Sequence, residues 1–137
     1  MNFTFDVADK VLDQGVLPHC ISTDLTVPGR QITVHSMTEM MTRFLAMGFT
    51  FDQVVTMSTE NPAKAVAVDD RLGTLAVGKQ ADLSVLEIKD GNWMVYDILG
   101  DGKKSDKAVI PVMAIKKGKV YEAGWGPRPW GWEPDSA

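Results

Sequence analysis

The spacing of apolar residues changes once along this chain, near Gly73, and that change limits the fold more than any other feature. Before Gly73 the apolar residues return every three or four positions; after it they alternate. A helix brings a residue back to one face every 3.6 positions and a strand every second position. The chain is therefore expected to be α+β, with a mostly helical part over 1–68, a β-rich part over 69–123 and an irregular tail over 124–137.

The helices carry their own start and stop signals. Phe5, Ala8, Val11 and Leu12 share a face, Thr4 can cap the start and Gly15 stops the run. Leu17 to Asp24 reads as one short strand ending in polar residues, and Val27-Pro28-Gly29 as the loop after it. Ser36-Met37-Thr38-Glu39 has the capping-box pattern, in which serine and glutamate each satisfy a backbone N–H at the helix start. Met37, Met40, Met41, Phe44 and Leu45 then form an apolar stripe closed by Gly48. Thr50 with Gln53 repeats the box, and Asn61-Pro62 is expected to open another helix with asparagine as the cap.

In the second half, Ala81 to Val85 alternates, Asp90-Gly91 predicts a hairpin turn, and Trp93 to Tyr96 returns. Residues 100–106 read as a loop that holds the basic cluster Lys103, Lys104 and Lys107 in solvent. Val112 to Ile115 and Val120-Tyr121 flank a turn at Lys117-Gly118. The tail adds Trp125, Trp130 and Trp132, which are costly to leave in water and are expected against a partner or the β-part. No internal repeat is visible.

Composition narrows the function. A formal net charge of −4 over 137 residues argues against a nucleic-acid or anionic-membrane surface, so no nucleic acid and no membrane is expected as partner. No stretch reaches the ~20 apolar residues that cross a bilayer, and no basic residue precedes an apolar run at the N-terminus as in a signal peptide. The single cysteine, Cys20, suits a reducing compartment, and the expected location is cytoplasmic.

Asp24 is the candidate for chemistry. A carboxylate at the C-terminal end of a strand, before a Pro/Gly loop, stands where (β/α) barrels place catalytic groups, although turns and helix caps also use aspartate there. His19, Cys20 and His35 are the other metal-binding types nearby. His19 and Cys20 are adjacent and point to opposite faces of an extended chain, which works against a shared ion. The sequence holds no HxH, HExxH, CxxC or phosphate-binding glycine loop.

Three separated stretches then recur in a familiar order: Ile21-Ser22-Thr23-Asp24, Asn61-Pro62-Ala63-Lys64-Ala65, and Gly73-Thr74-Leu75 with Gly78-Lys79-Gln80-Ala81-Asp82-Leu83-Ser84-Val85-Leu86. Over residues 1–123 this resembles the C-terminal end of the amidohydrolase superfamily, most closely its dihydroorotase-like deacetylases. The resemblance implies the truncated end of a (β/α)8 barrel followed by part of a small β-sandwich. It implies Asp24 as the catalytic and metal-flanking aspartate, and zinc as the cofactor of the full-length family. The 25–35 loop would border substrate, with Arg30 as a candidate for a substrate carboxylate. Asn61-Pro62 and the 78–82 turn would be structural.

The family's metal-binding histidines would precede this region, and a barrel needs ~250 residues. The chain alone is therefore expected to bind no catalytic metal and to be inactive, with Met1 either internal to a longer protein or the start of a shortened frame. A stripe made to cover a barrel, and a sheet short of strands, would expose the Met37, Met40, Met41 and Phe44 stripe and open sheet edges, so a homo-oligomer is expected. Two other readings stay open: a non-enzymatic module for assembly or binding, and a self-contained metal site using His19, Asp24 and His35.

Overall fold

A computed structural model describes residues 3–26 and 35–123. Among them four helices precede three strands: α1 (Phe5–Asp13), α2 (Met37–Ala46), α3 (Phe51–Ser58), α4 (Glu60–Ala65), β1 (Leu83–Tyr96), β2 (Gly102–Lys116) and β3 (Lys119–Glu122). Arg30, the Val27-Pro28-Gly29 loop and the tryptophan tail lie outside the described residues.

The capping signals place the first three helices. The Thr4 hydroxyl accepts from the Val7 N–H at 3.4 Å, and Gly15 leaves α1 at φ 79°. Thr50 and Gln53 make both arms of a capping box, with the Gln53 N–H on the Thr50 hydroxyl at 3.3 Å and the Thr50 N–H on the Gln53 side chain at 2.9 Å. At α2 only one arm follows the motif: the Ser36 hydroxyl accepts from the Glu39 N–H at 3.1 Å. The Glu39 carboxylate reaches past the cap to the His35 N–H at 2.7 Å and turns its other oxygen to Arg43, also at 2.7 Å.

Two helical expectations change. Asn61 does not cap α4, which begins at Glu60 after Thr59. Its amide is committed elsewhere, as described below. The 17–24 stretch forms no strand ladder; the described sheet pairs only residues after 82.

The sheet is antiparallel in the order β1-β2-β3. The expected hairpin turn at Asp90-Gly91 is instead a bulge inside β1, where Gly91 and Asn92 face Asp106 between the pairs Asp90–Lys107 and Trp93–Ser105. Gly91 does not take the positive φ that a tight hairpin turn needs. A Cβ at Gly91 would stand 2.9 Å from the Trp93 indole nitrogen, so glycine is what lets the strand continue and bury that ring. The chain reverses instead at residues 97–101, where the buried Asp97 carboxylate accepts from the N–H groups of Leu99 at 2.8 Å and Asp101 at 3.0 Å.

The expected 100–106 loop is accordingly the start of β2. Its lysines do not form a free basic cluster: Lys103 pairs with Asp9 at 2.8 Å and Lys107 with Asp90 at 2.6 Å. Lys117-Gly118 turns between β2 and β3 as expected, with positive φ at both residues (49° and 78°).

Sheet and helices share a core. Met40, Met41 and Phe44 of α2 pack with Ile21, Val54, Met57 and Val109, and Leu86 lies partly buried against them. Fully burying a side chain such as Val54 or Val109 contributes about 1.5–3 kcal/mol. The Met40, Met41 and Phe44 stripe is thus not exposed, contrary to expectation. Val109 of β2 packs against this stripe, while its neighbours Ala108 and Ile110 join Trp93 in a second buried cluster.

One polar contact locks the two layers. Thr42, 0% exposed, donates its hydroxyl to the Thr38 carbonyl at 3.0 Å and accepts from the Val109 N–H at 2.9 Å. Val109 is buried, so that N–H would otherwise be a donor without water.

Candidate functional site

Asp24 stands exposed at the end of the extended stretch that follows α1. Its φ of 46° lies in the left-handed region, which costs an ordinary L-residue roughly 1–2 kcal/mol and which aspartate tolerates better than most. Its N–H donates to the Ser22 hydroxyl at 3.4 Å, a short-range turn that presents the carboxylate outward.

Three contacts moor the stretch before it reaches Asp24. Ile21 is buried in the shared core. The Ile21 N–H donates to the Met57 carbonyl at 2.9 Å, and the Asn61 amide donates to the His19 carbonyl at 2.8 Å. Met57 lies in the last turn of α3, where carbonyls lack a helical partner and must find one elsewhere.

His19, Cys20 and His35 are all exposed. Among the described residues, no three histidine, cysteine, aspartate or glutamate side chains converge as a metal site would require. The structure therefore does not assemble His19, Asp24 and His35. Zinc takes three protein ligands in a catalytic site and four in a structural one, more than a lone Asp24 could offer. The described residues by themselves do not fit a zinc ion.

A cleft of about 330 Å³ opens beside the same stretch, with Leu17, Pro18, Phe49 and Met57 as its apolar wall and Gln53 and Asn61 among its polar lining. Asp24 is not part of it.

The 78–82 turn is occupied with structure. The Lys79 ammonium caps the carbonyls of Asp69 at 2.7 Å and Leu72 at 3.3 Å. Asp82 accepts from the Lys116 ammonium, the Lys117 N–H and the Gln80 amide. The Lys116 contact, then the Lys117 N–H, hold its carboxyl at about 2. Gly73 is equally tied: it has φ 87°, and a Cβ there would meet the Ala63 side chain at 2.6 Å.

Residues 4–121 match the amidohydrolase family, and the chain belongs to it. It is 31% identical over 114 residues to a deacetylase of Agrobacterium fabrum, and 28% identical over 114 residues to a deacetylase of Brucella anthropi. Each match takes in 83% of this chain but 28% of the relative. The fold superposes on the crystal structure of an adenine deaminase with a TM-score of 0.83 at 26% identity, covering 88% of this chain and 33% of that one. For the crystal structure of a dihydroorotase the TM-score is 0.78 at 29% identity, covering 88% and 32%. The chain thus spans about a third or less of the proteins it matches. No described helix is long and apolar enough to cross a membrane.

Sequence reasoning singled out Asp24 and passed over the side-chain contacts that hold the stretch before it. Asn61 carried a cap signal, and nothing in its neighbourhood announces a partner 42 positions upstream. Asp97 was legible: an aspartate three residues before Gly100 is a turn signal, overlooked in favour of Asp90-Gly91.

Proposed function

We propose that this chain is the C-terminal part of a metal-dependent amidohydrolase that cleaves an amide or cyclic-amide C–N bond, and that it is inactive on its own. The observation that carries this reading is the family match over residues 4–121, in a chain whose matches take in only 28% of the deacetylase relatives. Asp24 is the group of this chain that would touch the reacting atoms. Its carboxylate accepts a proton from the attacking water and returns it to the leaving nitrogen. Zinc, the cofactor expected for a full-length member, would require histidines from elsewhere in the fold. The three-stranded sheet is read as part of a small sandwich, and residues 1–68 as the end of a barrel.

Elemental analysis of protein purified without a metal-affinity tag tests the reading. The expected zinc content per chain is near zero, with no hydrolysis of N-acetylated amino acids after zinc is added. A content near one, lost in Asp24→Asn, would mean a self-contained site and would overturn the fragment reading.

A second reading, a module that self-associates, is supported by β1. It forms the outer edge of the sheet over fourteen residues, with Val85 and Ile88 exposed along it. A long sheet edge is a template for strand pairing between chains. Sedimentation equilibrium should show a dimer or larger species that a lysine at Ile88 weakens. A monomer at all accessible concentrations would count against it.

A further inference from the structure

We infer that Asn61 is a positioning residue for Asp24, an inference that rests on the role proposed above for that aspartate. In an extended chain the carbonyl of one residue and the N–H of the second residue after it face the same side. His19 and Ile21 stand in that relation, and both groups are taken by the junction of α3 and α4: the Ile21 N–H by the Met57 carbonyl, the His19 carbonyl by the Asn61 amide. The junction thus does for one edge of the stretch what a neighbouring strand would do. It fixes the direction of the backbone three residues before Asp24.

The residue types suit the task. The Met57 carbonyl is available because α3 ends one residue later, at Ser58. Asn61 lies in the first turn of α4, directly before Pro62, whose ring supplies no N–H and sets its own φ. A side chain short enough to stay ordered, and able to donate, is what the His19 carbonyl requires. Aspartate has the same shape and does not donate when ionised. Buried Ile21 anchors the stretch from the other direction, so the chain between His19 and Ile21 is held by one apolar and two polar points.

The test is residue-resolved amide exchange and NMR on the full chain, wild type against Asn61→Asp and Asn61→Gln. Loss of one net hydrogen bond corresponds to about a tenfold change in a local opening equilibrium. The Ile21 amide in Asn61→Asp should therefore exchange roughly tenfold faster, while those of Val54 and Met40 hold their wild-type rates. The three-bond coupling at Asp24 that reports its left-handed φ should move toward an averaged value. Asn61→Gln, which keeps the donor, should recover part of both effects. Equal acceleration at every amide would reduce Asn61 to a general stabilising residue and overturn the inference. So would an unprotected Ile21 amide in the wild type, an outcome that needs no variant to fold. A metal content of one per chain would instead defeat the reading of Asp24, leaving the exchange result as it stands.

Discussion

Glu39→Ala is expected to cost about 3–5 kcal/mol, the usual consequence of removing one partner from a buried ion pair. The Glu39 and Arg43 side chains are 7% and 2% exposed and meet at 2.7 Å, one turn apart on the face of α2 turned toward the protein. In solvent such a pair would contribute a few tenths of a kcal/mol. Here the loss leaves the guanidinium in a poorly hydrated place without its carboxylate. The His35 N–H loses its acceptor in the same change. Against a stability of ~5–15 kcal/mol for an ordinary domain, this is enough to bring the chain near unfolding. Urea denaturation followed by far-UV circular dichroism is the measurement. A loss below about 1 kcal/mol would show that water reaches Arg43.

Asp97→Ala should cost about 2–3 kcal/mol, since the carboxylate, 2% exposed, accepts charge-assisted bonds from three backbone N–H groups. Two of them, Leu99 and Asp101, belong to the β1–β2 turn. The third is the Phe5 N–H at 3.0 Å, the first residue of α1, so one side chain ties the start of the described chain to the sheet. A carboxylate at a helix N-terminus also meets the positive end of the helix dipole. Burial raises the pKa of this carboxyl, but the N–H groups of Phe5, Leu99 and Asp101 outweigh it and leave the value below the ordinary one. A depressed pKa means that the unfolded chain takes up the proton first. The contribution is therefore complete above the unfolded value of about 3.9 and is lost as pH falls through the lower folded value. Between pH 5 and 8 it should be flat. A plot of stability against pH for wild type and Asp97→Ala should converge at the acid end. Parallel curves would show that Asp97 stays protonated or that its bonds are dispensable.

Local signals were read correctly where they act locally. Thr4, Ser36 and the Thr50–Gln53 pair place three helix starts, Gly15 and Gly48 two ends, and Lys117-Gly118 one turn, each through its own backbone chemistry. The errors arose where a distant partner overrides a local preference. Asp90-Gly91 has the composition of a turn, yet burying Trp93 keeps β1 going and converts the pair into a bulge. Asn61 has the composition of a cap, yet the His19 carbonyl takes its amide. The 17–24 stretch alternates well enough for a strand and finds no ladder, since a strand is a property of two segments. The apolar stripe of α2 was identified residue by residue, but part of what covers it, Val109 of β2, lies more than sixty positions away. Asp24 was singled out as the end of a strand before the Pro/Gly loop, and the described structure forms no strand there. The bonds of His19 and Ile21 to Asn61 and Met57 were not legible, because their parts are scattered over 19–61.

The long β1–β2 hairpin has a kinetic consequence. Its two strands are joined by a five-residue turn, so most of its pairing closes short loops and carries little entropic cost. Docking α2 on it through Thr42 and Val109 closes a loop of 67 residues. The hairpin should therefore be in place at the rate-limiting barrier and the helical layer should settle afterward. A weakened 97–101 turn would then slow folding, whereas a lost Thr42 hydroxyl would chiefly speed unfolding. Within this chain, that order means residues 83–116 organise the helical residues that precede them in sequence.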